Sequence, residues 1–225
     1  MKNAKKEKLD SWFERICREI KSSYLLPNTC KGGTVIDCGS NVGGFPATFK
    51  NRFDRYICYE ADSDNYEYSK KKIKQLNLSE ICTFENKACY KNGGEIVSLY
   101  KHKDENPGDH AIYTREDTHP TDNKIAEVKT ISLEDIIEKY FCHKRLTPIK
   151  LLKCDIEGAE YDFLLDKDLS IFEFIILELH QVVSGDDEPK YKLIDLISKT
   201  HHTAIQDTIL IAGLKTRMDR LDIAK

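Results

Sequence analysis

Apolar positions along this chain switch between a helical and a strand period, and the switching outlines an α/β fold. Leu9, Trp12, Phe13, Ile16, Cys17 and Ile20 recur at helical spacing, so residues 1–26 predict an amphipathic helix with a core-packing stripe, ending before Pro27. Residues 34–38 form a short β-branched apolar run between Gly33 and Gly39, which reads as a buried strand. The run at 56–60 repeats the pattern and ends in a carboxylate, Glu60. A helix is expected from Asp64 to about Leu76, a strand over 81–89, and another over 95–100 after the turn at Asn92, Gly93 and Gly94. Further strands are expected at 127–131, 149–154 and 172–179. Ser132 and Asp135 cap a helix carrying Ile136, Ile137, Tyr140 and Phe141. A helix over 189–199 and one or two closing strands within 205–211 complete the pattern.

Strands alternating with helices imply right-handed crossovers, a mostly parallel sheet and helices on both faces. Such sheets bind ligands beyond the carboxyl ends of their strands. Asp37, Glu60, Asp155 and His180 all fall at expected strand ends, which points to one shared site.

The first strand runs into Asp37, Gly39, Ser40, Asn41 and Gly43, a strand-to-helix turn whose glycines let a ligand approach the backbone. Glu60 follows Gly39 by 21 residues and is placed to accept hydrogen bonds from both hydroxyls of a ribose. A nicotinamide-dinucleotide site has the same strand, turn and acid but needs G-x-G-x-x-G at the turn. Here an acid precedes the first glycine instead, which suits a cationic amino-acid end and would repel a pyrophosphate. The ligand this favours is S-adenosylmethionine.

A third cluster, Lys153, Asp155, Glu157, Gly158 and Glu160, follows the apolar run at 149–154. Together these motifs resemble the FkbM family of S-adenosylmethionine-dependent methyltransferases. The family's D-x-G-x-N-x-G turn appears as Asp37, Gly39, Asn41 and Gly43, its second-strand acid as Glu60, and its K-x-D-x-E-G-x-E signature from Lys153 to Glu160. The resemblance covers about 33–180 and implies a Rossmann-like class I fold with a seven-stranded sheet. It implies that Glu60 holds the ribose and that the turn holds the methionine part, with S-adenosylhomocysteine as product. Ala61, Asn86, Lys87 and Ala88 would border the cofactor, and Asp155 would lie near the methyl group and the acceptor. It also implies a hydroxyl acceptor on a sugar or other small molecule.

Period-two geometry places Lys153, Asp155 and Glu157 on one side of their strand, and Glu178 and His180 on one side of the next. Asp155 or His180 is the candidate general base, and Lys153 would orient Asp155 or hold an acceptor oxygen. Two acids and a histidine also make a conceivable divalent-metal set, although no dedicated metal motif is present.

Composition narrows the partners. A net charge of −3 over 225 residues provides no global field for nucleic acid or an anionic membrane. This counts against the rival reading of a nucleic-acid 2′-hydroxyl methyltransferase, while a binding module without turnover stays open. The eight cysteines contain no C-x-x-C pair, and five of them (Cys38, Cys58, Cys82, Cys89 and Cys154) fall in expected strands as small core residues. With no apolar leader and no membrane-length run, one cytoplasmic domain over 1–225 is expected. Residues 101–124 lack apolar periodicity and are expected to be a substrate loop, with His110, Tyr113 and Arg115 as candidate substrate contacts whose favoured reading is ordinary solvated loop residues.

Overall fold

The computed structural model describes residues 2–101, 110–113, 123–141, 149–182 and 185–217. Its helices and strands follow in chain order as α1 (Lys2–Ser23), β1 (Thr34–Cys38), α2 (Gly44–Thr48), β2 (Arg55–Glu60), α3 (Ser63–Gln75) and β3 (Cys82–Asn86). Next come β4 (Ala88–Cys89), β5 (Ile96–Lys101), β6 (His110–Ala111), β7 (Asn123–Ile131), α4 (Leu133–Phe141) and β8 (Ile149–Cys154). The chain continues with α5 (Glu160–Leu164), β9 (Phe174–Glu178), α6 (Glu188–Thr200), β10 (His201–Gln206) and β11 (Ile209–Leu214).

Seven strands form the main sheet in the order β10-β11-β9-β8-β1-β2-β3. The five from β9 to β3 are parallel, and β11 and β10 add an antiparallel edge. This is a Rossmann-like α/β sheet. Alternate residues of each strand enter opposite cores. Ile36, Ile57, Leu152 and Ile175 face α4, α5 and α6, whereas Val35, Tyr56, Leu151 and Phe174 face α1 and α2. The central strands are buried on both faces, which is why their sequences read as continuous apolar runs. The chain order reverses between β1 and β8, so the ends of those two strands lie at the switch point.

Several boundaries depart from the sequence expectation. The run at 81–89 is two strands, because Asn86 Nδ2 donates to Glu60 O and Ala61 O, both at 2.8 Å, and the chain leaves the sheet after Asn86. β4 then joins β5, β6 and β7 in a second, four-stranded sheet. β7 begins at Asn123, four residues before the expected 127, because its polar start pairs with the end of β5. Asp62, rather than Asp64, caps α3 by accepting from Asn65 N at 2.8 Å. Ser132 and Asp135 make the expected reciprocal cap of α4. The expected strand at 172–179 begins only at Phe174, after a short 3-10 turn, and the closing segment is a full hairpin from His201 to Leu214. Cys30, Cys38, Cys58, Cys89 and Cys154 are buried free thiols, and no described helix is long and apolar enough to cross a membrane.

Much of the expected substrate loop lies outside the described residues, including Arg115. Its described part corrects the solvated-loop expectation. His110 belongs to β6 with a side chain only 12% exposed, and Tyr113 hydrogen-bonds through its hydroxyl to Asp162.

Candidate active site

The glycine turn after β1 is held by its neighbours rather than by itself. Gly39 N and Ser40 N both donate to Tyr59 O, at 3.0 and 2.9 Å. Gly39 has φ 74, and a Cβ there would stand 1.7 Å from the Asp155 carbonyl oxygen, so only glycine fits. Asn41, also at positive φ, donates its backbone N–H to Glu60 Oε2 at 2.6 Å, and its side-chain oxygen accepts from Trp12 Nε1 at 3.1 Å. Glu60 Oε1 accepts from Asp62 N at 2.9 Å. The β2 acid and the β1 turn are therefore one hydrogen-bonded unit. Burial pushes the Glu60 carboxyl up to about 7 against the pull of those two amides.

Lys153 joins the turn to the end of β8. Its buried ammonium donates to Gly39 O at 2.6 Å and stands 3.3 Å from Asp37 Oδ1 and 3.5 Å from Asp155 Oδ2. Burial pushes Asp37 up to about 6, with Lys153 opposing. Burial also disfavours the Lys153 charge, but Asp37 and Asp155 outweigh it and hold the ammonium well above its ordinary range. The pair is ionised at neutral pH.

Beyond β8 the chain turns through Glu157 at φ 57, so the strand period does not extend to that residue. The cluster assembles all the same, around His180. Its Nδ1 lies 2.9 Å from Glu160 Oε1, while Nε2 lies 3.3 Å from Glu157 Oε2 and 3.9 Å from both Asp155 Oδ1 and Glu178 Oε1. Glu160 is fully buried and also accepts from Ile156 N and Gly158 N. Burial opposes a charged imidazole, yet Glu160, Glu157 and Asp155 push His180 up to about 10. Burial and the neighbouring Asp155 push Glu178 up to about 7.

Two cavities open on this framework and share Gly39, Asn41 and Asp155. One, about 60 Å³, is lined by Glu60, Ala61, Lys87, Ala88 and Glu157 together with Asn65, Leu99, His110 and Ile112. The other, about 270 Å³, is lined by Ser40, Lys153 and Glu178 together with Glu19, Tyr24 and Asp207. Asp37, Gly43 and Asn86 line neither: Asp37 lies under the turn, Gly43 begins α2, and Asn86 ties down the strand ends. Ser40 Oγ is buried without a hydrogen-bond partner among the described residues. The Glu60 carboxylate and the Ser40 hydroxyl thus each present a polar group at one of the two cavities.

A model of the methyltransferase FkbM domain matches residues 37–205, three quarters of the sequence. The chain belongs to the FkbM methyltransferase domain family. The cofactor of this domain is S-adenosylmethionine. Methyltransferase FkbM from Methylobacillus flagellatus KT has the same fold, with a TM-score of 0.50 at 15% identity over 80% of this chain and 43% of its own. The METTL16 methyltransferase domain aligns with a TM-score of 0.44 at 14% identity, over 90% of this chain and 64% of its own. TrmK from M. capricolum, solved with S-adenosylhomocysteine, aligns with a TM-score of 0.44 at 9% identity, over 90% of this chain and 66% of its own. The chain thus spans less than half of the Methylobacillus protein and just under two thirds of the other two. No curated protein matches the chain.

Sequence reasoning missed Tyr24 and Glu160 as members of the site, and named His110 as a candidate substrate contact while favouring a solvated-loop role. Tyr24 closes α1 and donates its hydroxyl to Asp155 Oδ2 at 3.3 Å. Glu160 was visible as the last acid of the signature, but its bond to His180 depends on α5 turning back toward β9. His110 lies in a two-residue strand, too short to show a period, so nothing along the chain marks it as facing Glu60.

Proposed function

We propose that this FkbM domain methylates a hydroxyl on an uncharged, polyhydroxylated small molecule such as a sugar, with Asp155 as the general base. The observation that carries this reading is the position of Asp155, on the wall that both cavities share. In this reading the smaller cavity receives adenosine, with Glu60 on the ribose hydroxyls and Ala61, Lys87 and Ala88 along the base. Asn41 and Ser40 take the methionine end, and the larger cavity takes the acceptor.

S-adenosylmethionine supplies a methyl group on a sulfonium, ready for in-line displacement. The protein must position the acceptor and accept its proton. Tyr24 and Lys153 fix one oxygen of Asp155, leaving Oδ1 toward His180 and the acceptor side. His180 holds its proton at neutral pH, so it acts as a cation balancing the acids rather than as the base. Lys153 and Asp37 brace the glycine turn from below.

Among the described residues, Glu19, Asp155, Glu178 and Asp207 face the larger cavity against one ammonium, Lys153. That balance disfavours a phosphorylated acceptor or a nucleic-acid backbone. The test is calorimetry with S-adenosylmethionine, followed by a screen of neutral polyols, phosphorylated sugars and RNA scored by S-adenosylhomocysteine release. Turnover on neutral polyols is expected. Turnover confined to RNA or phosphorylated acceptors would sink the acceptor assignment, and failure to bind the cofactor would sink the assignment of the cavities.

A further inference from the structure

His110 opens β6 on the small sheet and reaches across to the turn that follows β2. Its Nδ1 stands 3.3 Å from Asp62 Oδ2, at ion-pairing distance. Asp62 in turn caps α3 through Asn65 N and gives its own backbone N–H to Glu60 Oε1. The imidazole is thus anchored to the same turn that holds the ribose acid. Both ring nitrogens are buried, and neither makes a well-directed hydrogen bond to any described residue. Leaving such a group unpaired costs free energy, so a polar partner belongs in the space it lines. That space is the smaller cavity, which His110 shares with Glu60, Asn65 and Leu99.

We propose that His110 is a cofactor-binding residue: Nδ1 docks on Asp62, and Nε2 meets the adenosine half of S-adenosylmethionine. This rests on the reading of the smaller cavity as the adenosine site. It gives the four-stranded sheet a function, because β6 carries the one histidine among the described residues of that cavity's lining. The main sheet holds the cofactor at its strand ends, and the small sheet reads the nucleoside from the other side.

Calorimetry with two ligands tests it: S-adenosylmethionine and 5′-methylthioadenosine, which lacks the amino-acid end. His110→Ala should weaken both by the same factor, roughly tenfold, as expected for one lost buried hydrogen bond. His110→Gln places an amide near the Nε2 position and should recover most of the affinity. His110→Asn places its amide near Nδ1, so it should keep the Asp62 contact and the melting temperature without recovering affinity. Recovery by Asn rather than Gln would mean that His110 only braces the turn, and would overturn the proposal. Unchanged affinity in His110→Ala, with tight binding by the wild-type protein, would also overturn it while leaving the cofactor site in place. Wild-type protein that binds neither ligand would overturn the adenosine reading of the cavity and the role of His110 together.

Discussion

The cavity beside Glu60 is walled by the ends of β2 and β3, the turn after β1 and the small sheet, whereas the larger cavity is closed by α1 and by the β10–β11 turn. The first is built largely from residues that sequence motifs mark. The second takes Glu19, Ser22, Ser23 and Tyr24 from one end of the chain, and Gln206, Asp207 and Thr208 from near the other. Their chemistry differs too: among the described residues, backbone amides hold Glu60 in the first, where Lys87 and His110 stand with Asp155 and Glu157, while Glu19, Asp155, Glu178 and Asp207 surround Lys153 in the second. Under the proposed reading, the cofactor cavity rests largely on motif residues at strand ends, while the acceptor cavity is assembled from segments distant in sequence. Acceptor identity therefore has no motif.

The largest expected effect comes from the floor beneath both cavities. Lys153→Met leaves Asp37 buried without its cation and the Gly39 carbonyl without its donor. Breaking a buried pair from one side costs about 3–5 kcal/mol, so the melting temperature should fall sharply and both ligands should bind poorly. A variant with near-normal melting would show that the floor is not what joins the two cavities.

The next two changes separate the cavities. Asp155→Asn should lower turnover by ~10²-fold or more while keeping most of the cofactor affinity, since it removes a proton acceptor and keeps the side chain's shape. Glu60→Gln should do the reverse, weakening S-adenosylmethionine by ~1–3 kcal/mol and sparing turnover at saturating cofactor. A shared phenotype for the two variants would erase the division. Wild-type affinity should also weaken as pH falls below about 7, because the protonated Glu60 carboxyl can no longer accept both ribose hydroxyls. Glu60→Gln should flatten that dependence in binding titrations across pH 5.5–8.

The smallest effect belongs to the larger cavity. Glu178 titrates near 7 in the folded protein and near its ordinary 4.5 when unfolded, so the folded state binds more protons between those values. Its contribution to stability therefore falls as pH rises from about 4.5 to 7. Glu178→Gln should reduce the loss of melting temperature over that window by a small amount, and an unchanged slope would show that the crowding of acids carries no cost.

The apolar runs at 34–38, 56–60 and 149–154 determined the main sheet, because strands buried on both faces must be apolar at every position. Gly39 and Glu60 were likewise legible as a strand-end turn and its acid, since a glycine that cannot carry a Cβ and an acid at a strand end are local requirements, whereas Asp37 and Gly43 line neither cavity. The second sheet was not legible: Ala88–Cys89 and His110–Ala111 are two-residue strands, too short for any periodicity, and the start of β7 is polar because it lies on the surface. The roles inside the acidic cluster were not legible either. Lys153 and His180 read as chemistry along the chain, but Lys153 spends its charge on Asp37 and the glycine turn, and Glu160 holds His180 protonated. Local sequence determined which residues stand at the strand ends. Only the tertiary structure decided which of them are buried against one another and which face a ligand, because burial and charge pairing depend on segments up to 131 residues apart, as between Tyr24 and Asp155.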